Sequence, residues 1–162
     1  MHLRSIKSLR RMRGSALYAP VFFIGILTGV SVPAYQDFKL RAHVTEGLNL
    51  AGAVKAAVTE SFAATNRWPR DLRELKFESA PRGEHVTFVA VNRGTVVIRY
   101  SSAAGRALAR AQLTLRPTVS RTGAVSWSCG YTRDVGTDPA SGGASPHATT
   151  VAAKYLPRSC RG

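Results

Sequence analysis

From Leu17 to Phe62 an apolar stretch passes without a break into an amphipathic helical pattern, and this run limits what the rest of the chain can do. Leu17 to Val32 contains no charged residue. From Leu40 onward, Leu40, Val44, Leu48, Ala51, Val58 and Phe62 recur at the spacing of one helix face. The pattern predicts a single helix of about 70 Å at ~1.5 Å per residue, its first third in lipid and residues 34–62 covering a globular domain. Of the 162 residues, that leaves about 100 for one small domain.

Charge sets the expected orientation. Arg4, Lys7, Arg10, Arg11 and Arg13 precede the apolar stretch with no acid among them, while the other 18 basic residues and all 9 acids lie beyond Pro33. By the positive-inside rule, residues 1–16 are a basic cytoplasmic leader, 17–33 a single membrane pass, and 34–162 an exported domain. The sixteen residues before Pro33 fall short of the ~20 of a full span, a gap that lipid thinning or helix continuing past Pro33 would close. A basic lead and an apolar core also describe a cleavable signal peptide, with the cut near Val32-Pro33-Ala34. Helical patterning that runs on past Ala34 favours the uncleaved stem. Gly25 and Gly29 form a small-xxx-small pattern that lets another helix approach closely, and Pro20 and Pro33 each remove a backbone donor.

Thr65-Asn66-Arg67-Trp68-Pro69 ends the helix, since Asn tolerates a left-handed cap and Pro cannot continue. Residues 70–77 read as a short turn with Leu72, Leu75 and Phe77 inward. Strand signals occupy residues 85–129. His85–Val91 and Thr95–Tyr100 flank the turn Asn92-Arg93-Gly94, Ala111–Arg116 alternates until Pro117 stops it, and Ala124–Cys129 makes a fourth strand. Sequential strands with short turns predict an antiparallel meander laid on the helix, an α+β domain. Gly130–Pro157, rich in Gly, Ser, Thr, Asp and Pro, reads as loop. Cys129 and Cys160 both fall on the exported side, where a bridge over 129–160 would contribute about 3–4 kcal/mol in the chain-entropy treatment. Two free thiols or an intermolecular bridge are the alternatives.

No catalytic apparatus is visible. His2, His43, His85 and His147 show no metal-ligand spacing, and there is no phosphate loop, serine elbow or carboxylate pair, so no enzyme, metal or cofactor is expected. His43, beside Arg41 and Glu46, is read as a surface or interface residue. Beyond Pro33 the positive excess is nine. Arg121, Arg133, Lys154, Arg158 and Arg161 are candidates to bind phosphates, which predicts salt-dependent DNA affinity. Simple solvation of a surface built with 18 Arg and 5 Lys, or attraction to anionic lipid or cell-surface polymer, are the competing explanations.

The run IGILTGVSVPAYQDF (residues 24–38), then RAHVTE (41–46) and AATNRWP (63–69), closely resembles bacterial type IV pilins. Near the C-terminus, Trp127-Ser-Cys129 and KYLPRSCR (154–161) resemble the two ends of that family's disulfide-bounded loop. The resemblance implies a long N-terminal helix on a four-stranded antiparallel sheet, a Cys129–Cys160 disulfide, and association with other pilin subunits in an inner-membrane or extracellular pilus. Adhesion, motility or DNA uptake would be its uses, with a DNA receptor of natural transformation as a second reading. The head departs from the pattern. Aligned on Gly25 and Pro33, Arg11 stands where the family has a glycine before its cleavage point, and Met12 where the mature chain would begin. Ala16 stands where the family has a glutamate that pairs with a neighbour's new N-terminus; Gly14-Ser15 offers a displaced cleavage point. A carboxylate in lipid is costly unless paired, so that glutamate rewards docking in register, and Ala16 supplies neither penalty nor reward. The head therefore predicts a membrane-anchored pilin-like subunit, a minor subunit at a filament end or a diverged copy, with a misassigned start as the remaining alternative.

Overall fold

The computed structural model describes residues 15–131 and 149–162, with side chains from Tyr35 onward. The chain divides into two units, residues 1–38 and 39–162. The described backbone of the first is helical, the opening part of α1 (Ser15–Thr65). The side chains of the apolar stretch, Gly25, Gly29 and Pro33 among them, lie outside the described residues, as does the lead before Ser15. Among the described residues no helix is long and apolar enough to cross a membrane.

In the second unit α1 turns one face inward. Val44, Ala51, Val54 and Val58 are fully buried, and Leu40 and Leu48 pack at the margin, the three- and four-residue spacing of a helical stripe. Opposite lie β1 (Val86–Asn92), β2 (Thr95–Tyr100), β3 (Gln112–Val119) and β4 (Val125–Cys129), in that spatial order with every pair antiparallel. Register makes the core: Ile98 pairs with Val89 and Leu113, and Val96 with Val91 and Leu115, so one sheet face presents branched apolar side chains. Tyr100 reaches across to α1, its hydroxyl donating to the Val44 carbonyl at 3.2 Å. This is the α+β meander on a helix that the sequence predicts.

α1 stops where expected. Asn66 adopts φ 52° and donates its amide to the Phe62 carbonyl at 2.8 Å, a left-handed cap. Trp68 then folds back on Phe62, ring centroids 4.0 Å apart. The β1–β2 turn has φ 47° at Arg93 and 83° at Gly94, the twist-matched type I′ geometry. The same turn donates from Arg93 and Gly94 to the Arg70 and Pro69 carbonyls at 3.1 and 2.8 Å. Leu72, Leu75 and Phe77 of the intervening turn pack against the core.

One expectation is corrected. Pro117 does not stop the third strand, because β3 runs through it to Val119 with Pro117 opposite Trp127. Gly130 donates to the Thr114 carbonyl at 3.0 Å and Thr150 to that of Gln112 at 2.8 Å. Even-numbered residues of β3 therefore direct their backbone groups toward β4 and the tail, and Pro117 directs its nitrogen the other way. On that side the pairing with β2 has ended at Leu115, so the absent N–H forfeits no ladder bond. The described loop before Pro157 also contributes to the core. Val151, Tyr155 and Leu156 are buried in the core, Tyr155 as the last residue of the short 3-10 turn Ala153–Tyr155 and Leu156 as the residue after it. The Thr149 and Thr150 hydroxyls accept from the Thr114 and Gln112 amides, taking the place beside β3 that β4 leaves beyond Cys129.

Candidate functional site

On α1, Tyr35 and Phe38 are exposed at 63% and 69%. Three residues apart, they share one helix face.

At the other end of the chain, Cys129 at the close of β4 is bonded to Cys160 in the 3-10 turn Arg158–Cys160, a separation of 31 residues. Gly130 follows with φ 61°, and a Cβ there would run into the Cys160 carbonyl and approach Leu156 Cδ1 to 2.9 Å. Tyr131 donates its amide to the Cys160 carbonyl at 2.9 Å and its hydroxyl to that of Val151 at 3.1 Å. The bridge and these hydrogen bonds together tie the two ends of the tail to the sheet.

The tail gathers three of the candidate cations. The Lys154 ammonium lies 4.6 Å from the Tyr155 ring centroid, and Arg158 is exposed. Arg161 is half-buried, its Nε donating to the Leu156 carbonyl at 2.8 Å, so part of its guanidinium serves the fold. Arg121 lies elsewhere, exposed in the β3–β4 turn. The length of β4, about 13 Å at ~3.3 Å per residue, separates it from Cys129. Arg133 lies outside the described residues.

A third constellation was not expected from sequence. His43 of α1 and His85, just before β1, stack with ring centroids 3.6 Å apart and planes 10° from parallel. His85 Nδ1 lies 2.6 Å from Glu46 Oε2, its amide donates to Glu46 Oε1 at 3.1 Å, and His43 Nδ1 lies 3.0 Å from the Ala104 carbonyl. Burial pushes the Glu46 carboxyl up, but the His85 amide and ring more than offset this and hold it below its ordinary value. Burial, and then the Glu46 charge, push the Tyr100 phenol above its ordinary range. Glu46 at three residues from His43 marks one helix face; His85, distant in sequence, is joined to them only by the fold. An imidazole lone pair lies in the ring plane, so two nearly parallel rings do not converge on one ion. Among the described residues no group of three His, Cys, Asp or Glu could hold a metal.

The geometry is matched by kinship. The family model for pilin, the bacterial filament protein, matches residues 40–161. The type IV major pilin protein of Neisseria gonorrhoeae is 32% identical over 146 residues, covering 87% of each chain. A fimbrial protein of Neisseria meningitidis serogroup B is 30% identical over 148 residues, 87% of each chain. The fimbrial protein EcpC of Eikenella corrodens is 30% identical over 146 residues, 87% of this chain and 83% of that one. A buried helix face on a four-stranded meander, closed by a cysteine-bonded tail and matched along most of its length to these filament proteins, means that the chain belongs to the pilin family.

Proposed function

We propose that this pilin is a membrane-anchored subunit that packs α1 against the α1 of neighbouring pilin chains. Residues 17–33 would hold it in the inner membrane, with Gly25, Gly29 and Pro33 at the helix contact and the domain in the periplasm or on an extracellular pilus. The carrying observation is the exposure of Tyr35 and Phe38 on one face of α1, on a helix whose next stretch buries Val44, Ala51, Val54 and Val58. Exposed aromatic pairs at helical spacing suit contact with another chain. Relatives named fimbrial and major pilin proteins support the same reading. The test is mass spectrometry of sheared, purified filaments from cells expressing the wild type or a Tyr35→Ser/Phe38→Ser variant. Wild-type chain in the filaments, and several-fold less of the variant at equal cellular abundance, is the expected outcome. Filaments that never contain the chain would leave only an unassembled anchor.

A second reading, DNA capture, rests on charge placement. Between His85 and Tyr131 there are six arginines and no Asp or Glu, and residues 149–162 add Lys154, Arg158 and Arg161, again with no Asp or Glu. Such a surface suits salt-dependent, sequence-tolerant binding of phosphates. Full-length protein in detergent should then retard duplex DNA at low salt, with affinity falling steeply as salt rises. Charge reversal at Arg121, Arg133 and Arg158 that leaves this unchanged would remove the reading.

A further inference from the structure

We propose that the outer edge of β4 is a strand-addition site for an extended peptide segment that carries an acidic residue at each end. The hydrogen bonds of β4 fix which way its backbone groups point. Ser120 donates to the Ala124 carbonyl at 2.9 Å and Gly130 to the Thr114 carbonyl at 3.0 Å, so even-numbered residues of the strand direct their backbone groups toward β3 and odd-numbered ones away from it. Tyr131 follows this parity, its amide donating outward to the Cys160 carbonyl at 2.9 Å. Among the described residues that is the one backbone bond the tail makes along this edge, and the backbone groups of Val125, Trp127 and Cys129 have no hydrogen-bond partner.

Sheets blunt a free edge with charge, a bulge or a covering segment. The opposite edge does so: β1 is irregular between Val86 and Phe88, and its Val89 amide donates to the Pro81 carbonyl at 2.9 Å. β4 pairs with β3 without interruption, and no residue from Thr122 to Tyr131 is charged. Trp127 and Val125 are half-buried on the α1 side, where the Trp127 indole donates to Thr59 at 3.3 Å, and Ser126 is exposed on the other face. An added strand would continue the ladder through three outward-facing residues and cover what Val125 and Trp127 still expose. Cations mark both ends. Arg121 is exposed in the turn before β4, and Arg158 is exposed two residues before Cys160, whose sulfur is bonded to Cys129. Between them the Lys55 ammonium lies 5.3 Å from the Trp127 ring centroid. None of residues 85–131 and 149–162 is an acid, so the carboxylates that complement these cations come from the incoming strand. A second copy of β4 would instead set arginine against arginine, which selects an acidic segment of another protein over self-pairing.

The test is NMR-detected amide exchange of the full chain in detergent, with a synthetic peptide of alternating valine and threonine flanked by glutamates as the probe. The free chain should exchange fast at Val125, Trp127 and Cys129. At saturation the peptide should slow those amides about fivefold to tenfold, the worth of one hydrogen bond each, with Ser126 and Ser128 unchanged. The same peptide with methylated amides, or with lysine at both ends, should bind at least about threefold more weakly. Val125→Pro removes one outward N–H at a strand start that tolerates proline and should weaken binding about fivefold. Arg121→Glu with Arg158→Glu, both at exposed positions, should reverse the preference between the glutamate and lysine peptides. Amides already protected in the dilute free chain would mean that the chain covers its own edge, and protection that rises with protein concentration alone would mean that a second copy does. Either result, a glutamate peptide that protects none of the three amides, or equal binding of the lysine peptide overturns the proposal.

Discussion

At the scale of single residues, a glycine sits where α1 lies close against the sheet. A Cβ on Gly47 would lie 2.6 Å from Tyr100 Oη and 2.9 Å from Ile98 Cγ2, and both of those side chains are buried at 1% exposure or less. Alanine is the better helix former by about 1 kcal/mol, but overpacking a closed core costs about 1–3 kcal/mol, so Gly47→Ala should destabilise by up to about 2 kcal/mol. Chemical denaturation with an unchanged m-value would show it. Glu46 makes a second prediction at this scale. Its folded-state value lies below the ordinary 4.5, so the carboxylate contributes stability above that value and loses it as pH falls through the lower, folded one. Glu46→Gln should flatten the acid limb of the stability curve below about pH 4.5, read from thermal midpoints between about pH 5 and pH 3. Neither residue announces itself in the sequence. Gly47 reads as an unfavourable helix residue and His85 as an isolated histidine until Tyr100 and Glu46 are placed beside them.

At the scale of elements, the junction between α1 and β1 is built as one piece. Trp68 stacks on Phe62 from the end of α1 and lies against Gly94 in the β1–β2 turn, where a Cβ would come within 2.9 Å of the indole. Gly94→Ala combines that contact with φ 83° and should cost about 1–2 kcal/mol, measured as a shift in denaturant midpoint, with the helix retained by circular dichroism. Much of this was legible. The stripe from Leu40 to Phe62, the Asn66 cap and the Gly94 turn all follow from local spacing and backbone preference, which is why the helix end and the first hairpin fall where expected. Pro117 was misread for the converse reason. Whether a missing N–H breaks a strand depends on which neighbour that N–H would have faced, and the end of β2 is not a local property.

At the scale of the whole domain, the cysteine bond and the buried tail residues complete the core from the chain's far end. Replacing both cysteines, Cys129→Ser with Cys160→Ser, opens a loop of 31 residues and should cost about 3–4 kcal/mol. Val151, Tyr155 and Leu156 are at most 7% exposed, so the variant should also gain dye-binding apolar surface and protease cleavage beyond Gly130. Reduction of the wild type should reproduce both effects. Composition alone made this tail look like loop, because its polar and small residues outnumber three apolar ones whose burial is decided by the bond and by the Gln112 and Thr114 amides.

Sequence by itself determined the helix, its inward face, the four strands and their order, since each rests on periodicity or turn chemistry within a short window. Motif likeness further pointed to the pilin family and to the cysteine pair. Only the tertiary structure decided which contacts those elements make: Gly47 beneath Tyr100, Trp68 over Gly94, the tail beside β3, and two histidines stacked against one carboxylate. Each of these depends on distance between residues far apart in the chain, a quantity that exists only once α1 and the sheet have packed.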